Sequence, residues 1–425
     1  MIRNPDGWLF EDNPSENKIH YIDEMEVFQL LQIALDDAVW GQNVKREVQY
    51  TDAHPEIKTG YCLETMRLMN IAGTVIRYPF GLSAITFPAR RHLFRGERAI
   101  YPRSVPTLNR MLFGKSEIEK EMWKCLADLR IYQFMKFIWK INVVPYWEAK
   151  LSDLNLKALA QHYGFDTHLL DLTNDVRTAL FFATCTYDNS IKRYRPLRED
   201  DCKEDYKKYG VIYHTPDWTI DYLQGGVSKL FRRFSNLDNQ ELKIDNGDCD
   251  GIAFQIGMQP LMRCQFQSGY IYPMGNDDTL QSDINFEKIR FKQSEHLSNT
   301  IFEMMDGGKK VFPNEGITEA QSIIEKMKES YLFSEDDIDC VYELENVDRD
   351  RYPNRESLKN ALCSFDFCGR KISIQKDEVD YGITDQLLES INSKYDNRDL
   401  LAPTGGMFHR TGEEERYREQ RCIQI

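Results

Sequence analysis

The segment from Ala160 to Ala183 constrains the fold most, because a dense polar cluster runs directly into an apolar stretch. It reads Ala-Gln-His-Tyr-Gly-Phe-Asp-Thr-His-Leu-Leu-Asp-Leu-Thr-Asn-Asp-Val-Arg-Thr-Ala-Leu-Phe-Phe-Ala. A solvated loop has no need of the apolar continuation, and a plain core helix has no need of the polar cluster. The segment therefore predicts the polar wall of a pocket mounted on a buried helix.

The composition predicts a folded chain in a reducing compartment. Hydrophobic residues make up 41% and aromatic residues 12% of the 425 residues, which is enough for a substantial core. The ten cysteines include no Cys-x-x-Cys pair, so we predict no metal site and expect a cytoplasmic location. The first residues lack an apolar signal region and no run reaches about 18 apolar residues, so no membrane partner is expected.

The charge distribution excludes one class of partner and leaves another open. The net charge is −14, so the chain has no overall electrostatic footprint for nucleic acid. Arginines nevertheless crowd one short stretch: Arg90, Arg91, Arg95, Arg98, Arg103 and Arg110. Either they are scattered solvated side chains, or they form an anion-binding wall in which planar guanidinium groups contact phosphates.

Hydrophobic periodicity, caps and breakers divide the chain into four predicted segments. These are a helical N-terminal segment 1–84, a central domain 85–300, a helical extension 301–394 and a loosely held tail 395–425. Helices are predicted at 23–40, 116–140, 153–163, 175–187, 294–306 and 317–330, and strands near 72–79, 93–96, 210–214, 251–256 and 286–291. The predicted caps are Asp23, Asp153 and either Asn174 or Asp175, and Gly164 predicts a left-handed stop of the helix 153–163. This order predicts an α+β fold, with a helix-rich first half and a mixed or antiparallel sheet.

The central segment holds the triplet Phe94-Arg-Gly96, followed by Pro106-Thr-Leu-Asn-Arg110, and the more specific blocks Gln161-His-Tyr-Gly164, Leu169-Leu-Asp171 and Ala179-Leu-Phe-Phe-Ala183. Together these motifs resemble the FRG domain, a family named for its Phe/Tyr-Arg-Gly triplet. Three positions depart from the family: Asp166 replaces a frequent Pro, His168 a frequent Arg, and Leu172 a frequent Trp. The resemblance implies a bacterial origin and a stress or phage-defence setting.

The first motif is also distantly similar to the NAD-binding strand of arginine-class ADP-ribosyltransferases. This similarity implies an ADP-ribosyltransferase-like arrangement, with Arg95 on phosphates and NAD as a candidate substrate. In those enzymes a glutamate of a late loop opposes the positive charge that develops on the sugar. The corresponding place here holds Gln267, so another carboxylate, such as Glu97 or Asp171, would have to serve.

Three residues each leave two interpretations open. Arg95 either binds a ligand or forms a buried salt bridge, for which Asp171 is the candidate partner. His162 is either a general base or a residue that caps and packs the helix end. Asp171 is either a carboxylate in the pocket or the cap of the following helix.

The sequence thus yields two hypotheses about function. The first is a nucleotide-handling, ADP-ribosyltransferase-like enzyme, and the second is a non-catalytic FRG module that binds a nucleotide or phage component and signals through its termini. Candidate catalytic residues are His162, Asp171 and Gln267. Candidate substrate-binding residues are Arg95, Gly96, Glu97, Arg110, Gln161, Tyr163, Thr167 and Thr173. The expected partner is a nucleotide or another phosphate-bearing small molecule, with an acceptor that the sequence does not identify.

Overall fold

The structure, a computed structural model, describes most of the central and C-terminal parts of the chain. The described residues are 19–31, 48–49, 74–77, 83–86, 92–145, 156–216, 254–256, 260–267, 269–275, 278–283, 286–345 and 347–396. The predicted cap at Asp153, residues 32–40 of the first predicted helix and the tail beyond residue 396 lie outside them.

The centre of the fold is a seven-stranded mixed sheet. The strands of the described residues are β1 Ile19–Ile22, β2 Val48–Gln49, β3 Thr74–Arg77, β4 Ser83–Thr86, β5 His92–Glu97, β6 Leu169–Thr173, β7 Cys185–Asp188, β8 Arg193–Pro196, β9 Tyr209–Pro216, β10 Phe254–Gln255, β11 Gly269–Pro273, β12 Glu287–Lys292, β13 Leu332–Ser334 and β14 Ser373–Gln375. The large sheet has the order β1-β12-β9-β5-β6-β11-β10. Only its β1–β12 pair is parallel. The predicted α+β class with a mixed sheet is confirmed.

Strand β5 lies at the centre of this sheet but is bonded very unequally on its two sides. Its six residues all pair with β9, from His92 opposite Pro216 to Glu97 opposite Val211. On the other side, its register with β6 consists of the single pair Phe94–Thr173. The two strands therefore separate beyond this pair, and a cleft lies beside the opening.

Helices surround the sheet. Those of the described residues are α1 at 24–31, α2 Thr107–Leu112, α3 Glu117–Ile138, α4 Leu156–His162, α5 Val176–Thr184, α6 Arg263–Phe266, α7 Glu295–Met304, α8 Gln321–Lys328, α9 Glu335–Leu344, α10 Arg355–Ser364 and α11 Asp385–Asp396. Asp23 accepts from the Glu26 N–H, and Asp175 caps α5 by accepting from the Arg177 N–H. Both caps agree with the sequence, because short acidic side chains satisfy the free N–H groups of a helix start.

Helix α5 packs on β5 at Gly96. A Cβ at residue 96 would lie 1.7 Å from the Ala179 carbonyl oxygen and 3.0 Å from the Ala183 nitrogen. From the sequence, a glycine after Arg95 predicts close approach of a ligand to the backbone. That prediction is corrected, because the helix backbone occupies the place of the missing side chain.

The C-terminal residues pack against the long helix α3. Its side chains Trp123 and Leu129 share a buried core with Phe333, Ile338 and Leu358, which belong to β13, α9 and α10. Another core joins residues of α3 and α4 to those of α8 and α11. Helix α4, which carries the Gln161-His162 pair, is therefore supported by residues that follow 315 in the sequence.

Nine strands of the described residues lie where the sequence predicts no strand: β1, β2, β4, β6, β7, β8, β11, β13 and β14. Strand β7 takes the place of the last residues of the helix predicted at 175–187, because α5 ends at Thr184. Residues 169–173, predicted as a polar pocket wall and helix cap, form β6. Part of the charged stretch 188–209, predicted as a connector, forms β8, which pairs with β7. Among the described residues, none of the helices combines the length and the apolar character that crossing a membrane requires.

Candidate functional site

A polar cleft of about 140 Å³ lies where β5 and β6 separate, and it is walled by α2, the end of α4 and the loop that follows. Its lining residues are Arg95, Val105, Pro106, Thr107, Arg110, Gln161, Gly164, Phe165, Asp166, Thr167, Leu169, Leu170 and Asp171. The cleft therefore brings together two arginines and two aspartates from segments more than 50 residues apart.

Two hydrogen bonds fix the orientation of the Arg95 guanidinium. Its Nε donates to Glu97 Oε1 at 3.0 Å, and its Nη1 donates to the backbone oxygen of Asp171 at 2.9 Å. Its side chain is 22% exposed, and its Nη2 makes no hydrogen bond to the described residues. Glu97 is in turn fixed by the Ser104 hydroxyl. The predicted salt bridge of Arg95 thus exists, but its acidic partner is Glu97 rather than Asp171.

The Asp171 carboxylate faces the cleft, with 40% of its side chain exposed. Its Oδ1 accepts from Gln161 Nε2 at 2.5 Å. The other end of this amide, Gln161 Oε1, accepts from the Thr167 hydroxyl, which itself accepts from the Leu169 N–H at 3.2 Å. This chain of bonds fixes both the amide and the carboxylate. Because Asp175 caps α5, the interpretation of Asp171 as the helix cap is wrong.

His162 lies directly behind Asp171, with 2% of its side chain exposed. Its Nδ1 is 2.9 Å from Gln267 Oε1, while Gln267 Nε2 donates to the Val311 carbonyl at 3.3 Å. This amide orientation assigns the proton to Nδ1 and the lone pair to Nε2. His162 Nε2 lies 3.7 Å from Asp171 Oδ1, where it has no hydrogen-bond partner among the described residues.

Two glycines shape the surroundings of this histidine. Gly164 has a φ of +90°, which ends α4 in the left-handed conformation that the sequence predicts. A Cβ at residue 269 would lie 3.1 Å from His162 Nε2, so Gly269 lets the ring approach β11 closely. The imidazole therefore sits against backbone and carboxylate, out of direct contact with the cleft.

Tyr163 and Arg263 belong to the interior rather than to the cleft. The Tyr163 hydroxyl donates to the buried Glu315, which also accepts from the Tyr395 hydroxyl at 3.0 Å and from the Met262 N–H at 2.8 Å. The Arg263 guanidinium stacks on the Tyr163 ring and donates to the His162 carbonyl at 2.7 Å. These contacts connect the end of α4 with the C-terminal residues.

The structure thus divides the candidate residues into two groups. Arg95, Arg110, Gln161, Thr167 and Asp171 line the cleft together. The others lie behind it: Gly96 under α5, Glu97 behind Arg95, His162 and Gln267 behind Asp171, Tyr163 on Glu315, and Thr173 with its hydroxyl donating to the Gln267 carbonyl at 2.6 Å. Any functional role of the residues behind the cleft would be indirect, because they hold the residues that line the cleft in position.

Some residues of the site were missed by the sequence reasoning. Asp166 and Thr107 line the cleft, and Ser104 fixes Glu97 from below. Burial raises the pKa of the Asp166 carboxyl, while Arg130 and Lys328 oppose this rise. Two of these missed residues carry a signal in the sequence: Asp166 replaces a frequent Pro of the family, and Thr107 lies in the family-like stretch Pro106–Arg110. No signal in the sequence marks Ser104.

His162 gives a pH-dependent expectation for stability. Its pKa lies below the ordinary 6.5 because burial disfavours the imidazolium, although Asp171 opposes this effect. Below about pH 6.5 the unfolded chain binds a proton at this residue and the folded chain does not, so the free energy of unfolding falls as the pH falls. In His162→Asn, whose amide can still donate to Gln267, we expect a shallower fall between about pH 7 and pH 5. Urea unfolding at several pH values measures both slopes, and parallel curves would contradict the expectation.

Comparison with known proteins gives one match. A family model described as the FRG domain matches residues 90–192. This confirms the resemblance for these residues, which include every residue that lines the cleft. No curated protein matches the chain, and no solved structure matches it. The wider domain boundaries 85–300 stay a prediction.

Proposed function

We propose that the cleft binds the phosphate of a nucleotide and that the protein acts on this nucleotide in an ADP-ribosyltransferase-like reaction, with NAD as the candidate substrate. The observation that supports this proposal most is the hydrogen bonding of the Arg95 guanidinium. Glu97 and the Asp171 carbonyl hold its guanidinium in place, while Nη2 makes no hydrogen bond to the part of the chain that the structure describes. A planar donor that is already oriented loses little entropy when it binds a phosphate.

Arg110 supplies a second cation at the rim of the same cleft. Its side chain is exposed, and its one hydrogen bond in the described residues is a 3.5 Å contact to the Val105 carbonyl. Charge-assisted hydrogen bonds to phosphate are worth about 1.5–3 kcal/mol each, which is more than neutral ones give. The two guanidinium groups therefore offer a phosphate two cationic donors, beside the two aspartates of the same cleft.

The size of the cleft limits how much of the ligand it encloses. Its volume of about 140 Å³ is smaller than the roughly 300–1,000 Å³ of sites that bury a drug-sized molecule. One phosphate and an adjoining part of a sugar fit into such a space. The remainder of a mononucleotide or dinucleotide would extend out of the opening.

Asp171 supports the enzymatic form of the proposal. In glycosyl transfer from NAD, the bond between the ribose C1′ and the nicotinamide nitrogen breaks, and nicotinamide leaves as a neutral molecule with the bonding electron pair. The acceptor's nucleophile then bonds to C1′ and releases its proton. A carboxylate beside the sugar stabilises the positive charge that develops at C1′. Asp171 is the cleft carboxylate that neighbouring side chains orient for such a role.

A second candidate function is a non-catalytic sensor of a nucleotide or phage component. The observation that favours it is Gln267, an amide that is buried and directed at His162 where a late carboxylate would aid the reaction. In this alternative, binding at the cleft is communicated through Tyr163 and Glu315 to the C-terminal residues.

The test compares binding and turnover in matched variants. We expect NAD, AMP and inorganic phosphate to raise the melting temperature of the wild-type protein. Arg95→Lys keeps the charge but loses the planar fork, so affinity should fall about tenfold or more, and Arg110→Ala should weaken binding less. Arg103→Ala is the matched control, because Arg103 is an exposed arginine of the same stretch that stacks on Phe113 outside the cleft lining.

Nicotinamide release, followed by NMR, separates the two functions. Release that Asp171→Asn abolishes supports the enzyme. Binding that depends on Arg95 without any release supports the sensor. If none of the three ligands binds and no nicotinamide forms, both proposals fail.

A further inference from the structure

We infer that Asp171 recognises a ribose hydroxyl, so that the cleft selects ribonucleotides over deoxyribonucleotides. The inference rests on the proposed binding of a nucleotide phosphate and names the sugar that accompanies it. Its basis is a fixed carboxylate oxygen that accepts nothing from the described residues and faces the same cleft as Arg95.

The two oxygens of the Asp171 carboxylate differ in the hydrogen bonds that they accept. Oδ1 accepts from Gln161 at 2.5 Å, whereas Oδ2 makes no hydrogen bond to the described residues. An ionised carboxylate only accepts hydrogen bonds, so a ligand that contacts Oδ2 must bring a donor. The oxygens of a fully ionised phosphate monoester only accept hydrogen bonds, so such a phosphate offers Asp171 no donor.

The orientation of the carboxylate is set before any ligand arrives. Gln161 cannot turn its amide over without losing the hydroxyl of Thr167, which donates to Gln161 Oε1. Thr167 is only 3% exposed and its hydroxyl is also held by the Leu169 N–H. A preorganised acceptor of this kind discriminates well between ligands that have the matching donor and ligands that lack it.

The Arg95 guanidinium and the Asp171 carboxylate belong to residues that contact each other. Arg95 Nη1 lies 2.9 Å from the carbonyl oxygen of Asp171, and both residues line the same cleft. A ligand whose phosphate contacts Arg95 therefore has its adjoining atoms in a space that Asp171 also lines. In a nucleotide these atoms belong to the sugar, and carboxylates commonly bind ribose hydroxyls in nucleotide sites.

Other donors are less well suited to this position. A base edge is too large for the space that a phosphate leaves in a cleft of about 140 Å³. An ammonium group would suit the charge of Asp171, but a hydroxyl of the same nucleotide needs no second ligand. One ribonucleotide thus supplies both a phosphate for Arg95 and a hydroxyl donor for Asp171.

Calorimetric titration tests the inference with ligands that differ by one oxygen atom. Wild-type protein is titrated with AMP, 2′-deoxy-AMP, 3′-deoxy-AMP and inorganic phosphate. We expect AMP to bind about 10- to 100-fold more tightly than at least one of the deoxy forms, as a hydrogen bond to a charged group implies. In Asp171→Asn this ratio should fall toward one, with little change for the deoxy form that binds weakly. Asp166→Asn, a change at the other carboxylate of the cleft, is the matched control and should keep the ratio.

The possible failures are distinguishable. Equal binding of AMP and both deoxy forms, still weakened by Arg95→Lys, overturns the inference and leaves nucleotide binding intact. A preference that survives Asp171→Asn, or an equal loss of all ligands in that variant, also overturns it. If no ligand binds, including inorganic phosphate, the proposed function fails as well.

Discussion

Gly96→Ala is expected to destabilise the protein by at least about 3 kcal/mol, a large part of the roughly 5–15 kcal/mol that a typical domain has. The added methyl carbon would lie 1.7 Å from the Ala179 carbonyl oxygen, whereas a Cβ atom essentially never lies closer than 3.0 Å to such an atom. The colliding atom belongs to the backbone, so β5 and α5 must move apart. Denaturant unfolding followed by far-UV circular dichroism measures the loss.

Two further variants identify the cause of this effect. Gly114→Ala is the control, since Gly114 has a φ of +74° and open space around it, and its cost should be the roughly 1–2 kcal/mol of a left-handed alanine. Adding Ala179→Gly to Gly96→Ala should not restore stability, because the carbonyl oxygen remains. Equal small losses for Gly96→Ala and Gly114→Ala, or a rescue by Ala179→Gly, would contradict the explanation.

Glu315→Ala is expected to cost about 3–5 kcal/mol. Glu315 is 4% exposed, and its carboxylate accepts from two tyrosine hydroxyls and one backbone N–H. The substitution leaves three buried donors without an acceptor, at roughly 1–3 kcal/mol each, in part offset by local rearrangement. Equilibrium unfolding in urea measures the change in the free energy of unfolding.

Glu319→Ala provides the matched comparison within the same short segment. Its side chain is 29% exposed and pairs with Lys394, which is also partly exposed, so its loss should cost much less than the loss of Glu315. Tyr163→Phe removes only one of the three donors to Glu315 and should cost about 1 kcal/mol. If Glu315→Ala and Glu319→Ala cost the same, the buried carboxylate does not hold α4 to the C-terminal residues.

Much of the helical structure could be predicted from local signals. The helix predicted at 116–140 forms as α3, although α3 is buried on several sides rather than along one face, and α5 begins after Asp175, one of the two residues predicted as its cap. Gly164 ends α4 as predicted, because a positive φ is easily adopted only by glycine. Strand β9 agrees with its prediction, since β-branched and aromatic residues dominate it. Strand β12 also agrees, although Ile289 and Phe291 are its only residues of this kind.

The missed strands depend on distant partners. In β6 the leucines alternate with Asp171 and Thr173, so the segment resembles a polar loop unless β11 is known to pair with it. Strand β8 carries two arginines and is stabilised through Tyr194, which packs on Phe181 and Phe312 from other parts of the chain. Tertiary contacts of this kind outweigh local propensity and leave no periodic signal.

Only part of the candidate site could be predicted from the sequence, because distant contacts decide which side chains face the cleft. The polar cluster at 160–175 and the arginine of the first motif do meet at one cleft, as their residue types suggest. The sequence could not distinguish residues that face the cleft from those behind it. Tyr163 and Gln267 owe their inward positions to Glu315 and Val311, which are 152 and 44 residues away.

The single pair between β5 and β6 has a consequence for any molecule that binds beside it. A main-chain oxygen of β6 is satisfied by a side chain, since the Arg95 guanidinium donates to the Asp171 carbonyl. A ligand that drew the guanidinium away would leave this oxygen unpaired, at a cost of about 1–3 kcal/mol. We therefore expect a tightly bound ligand to contact only Nη2, which makes no hydrogen bond to the described residues. The hydrogen bond from Arg95 Nη1 to the Asp171 carbonyl then stays in place and continues to connect the two strands.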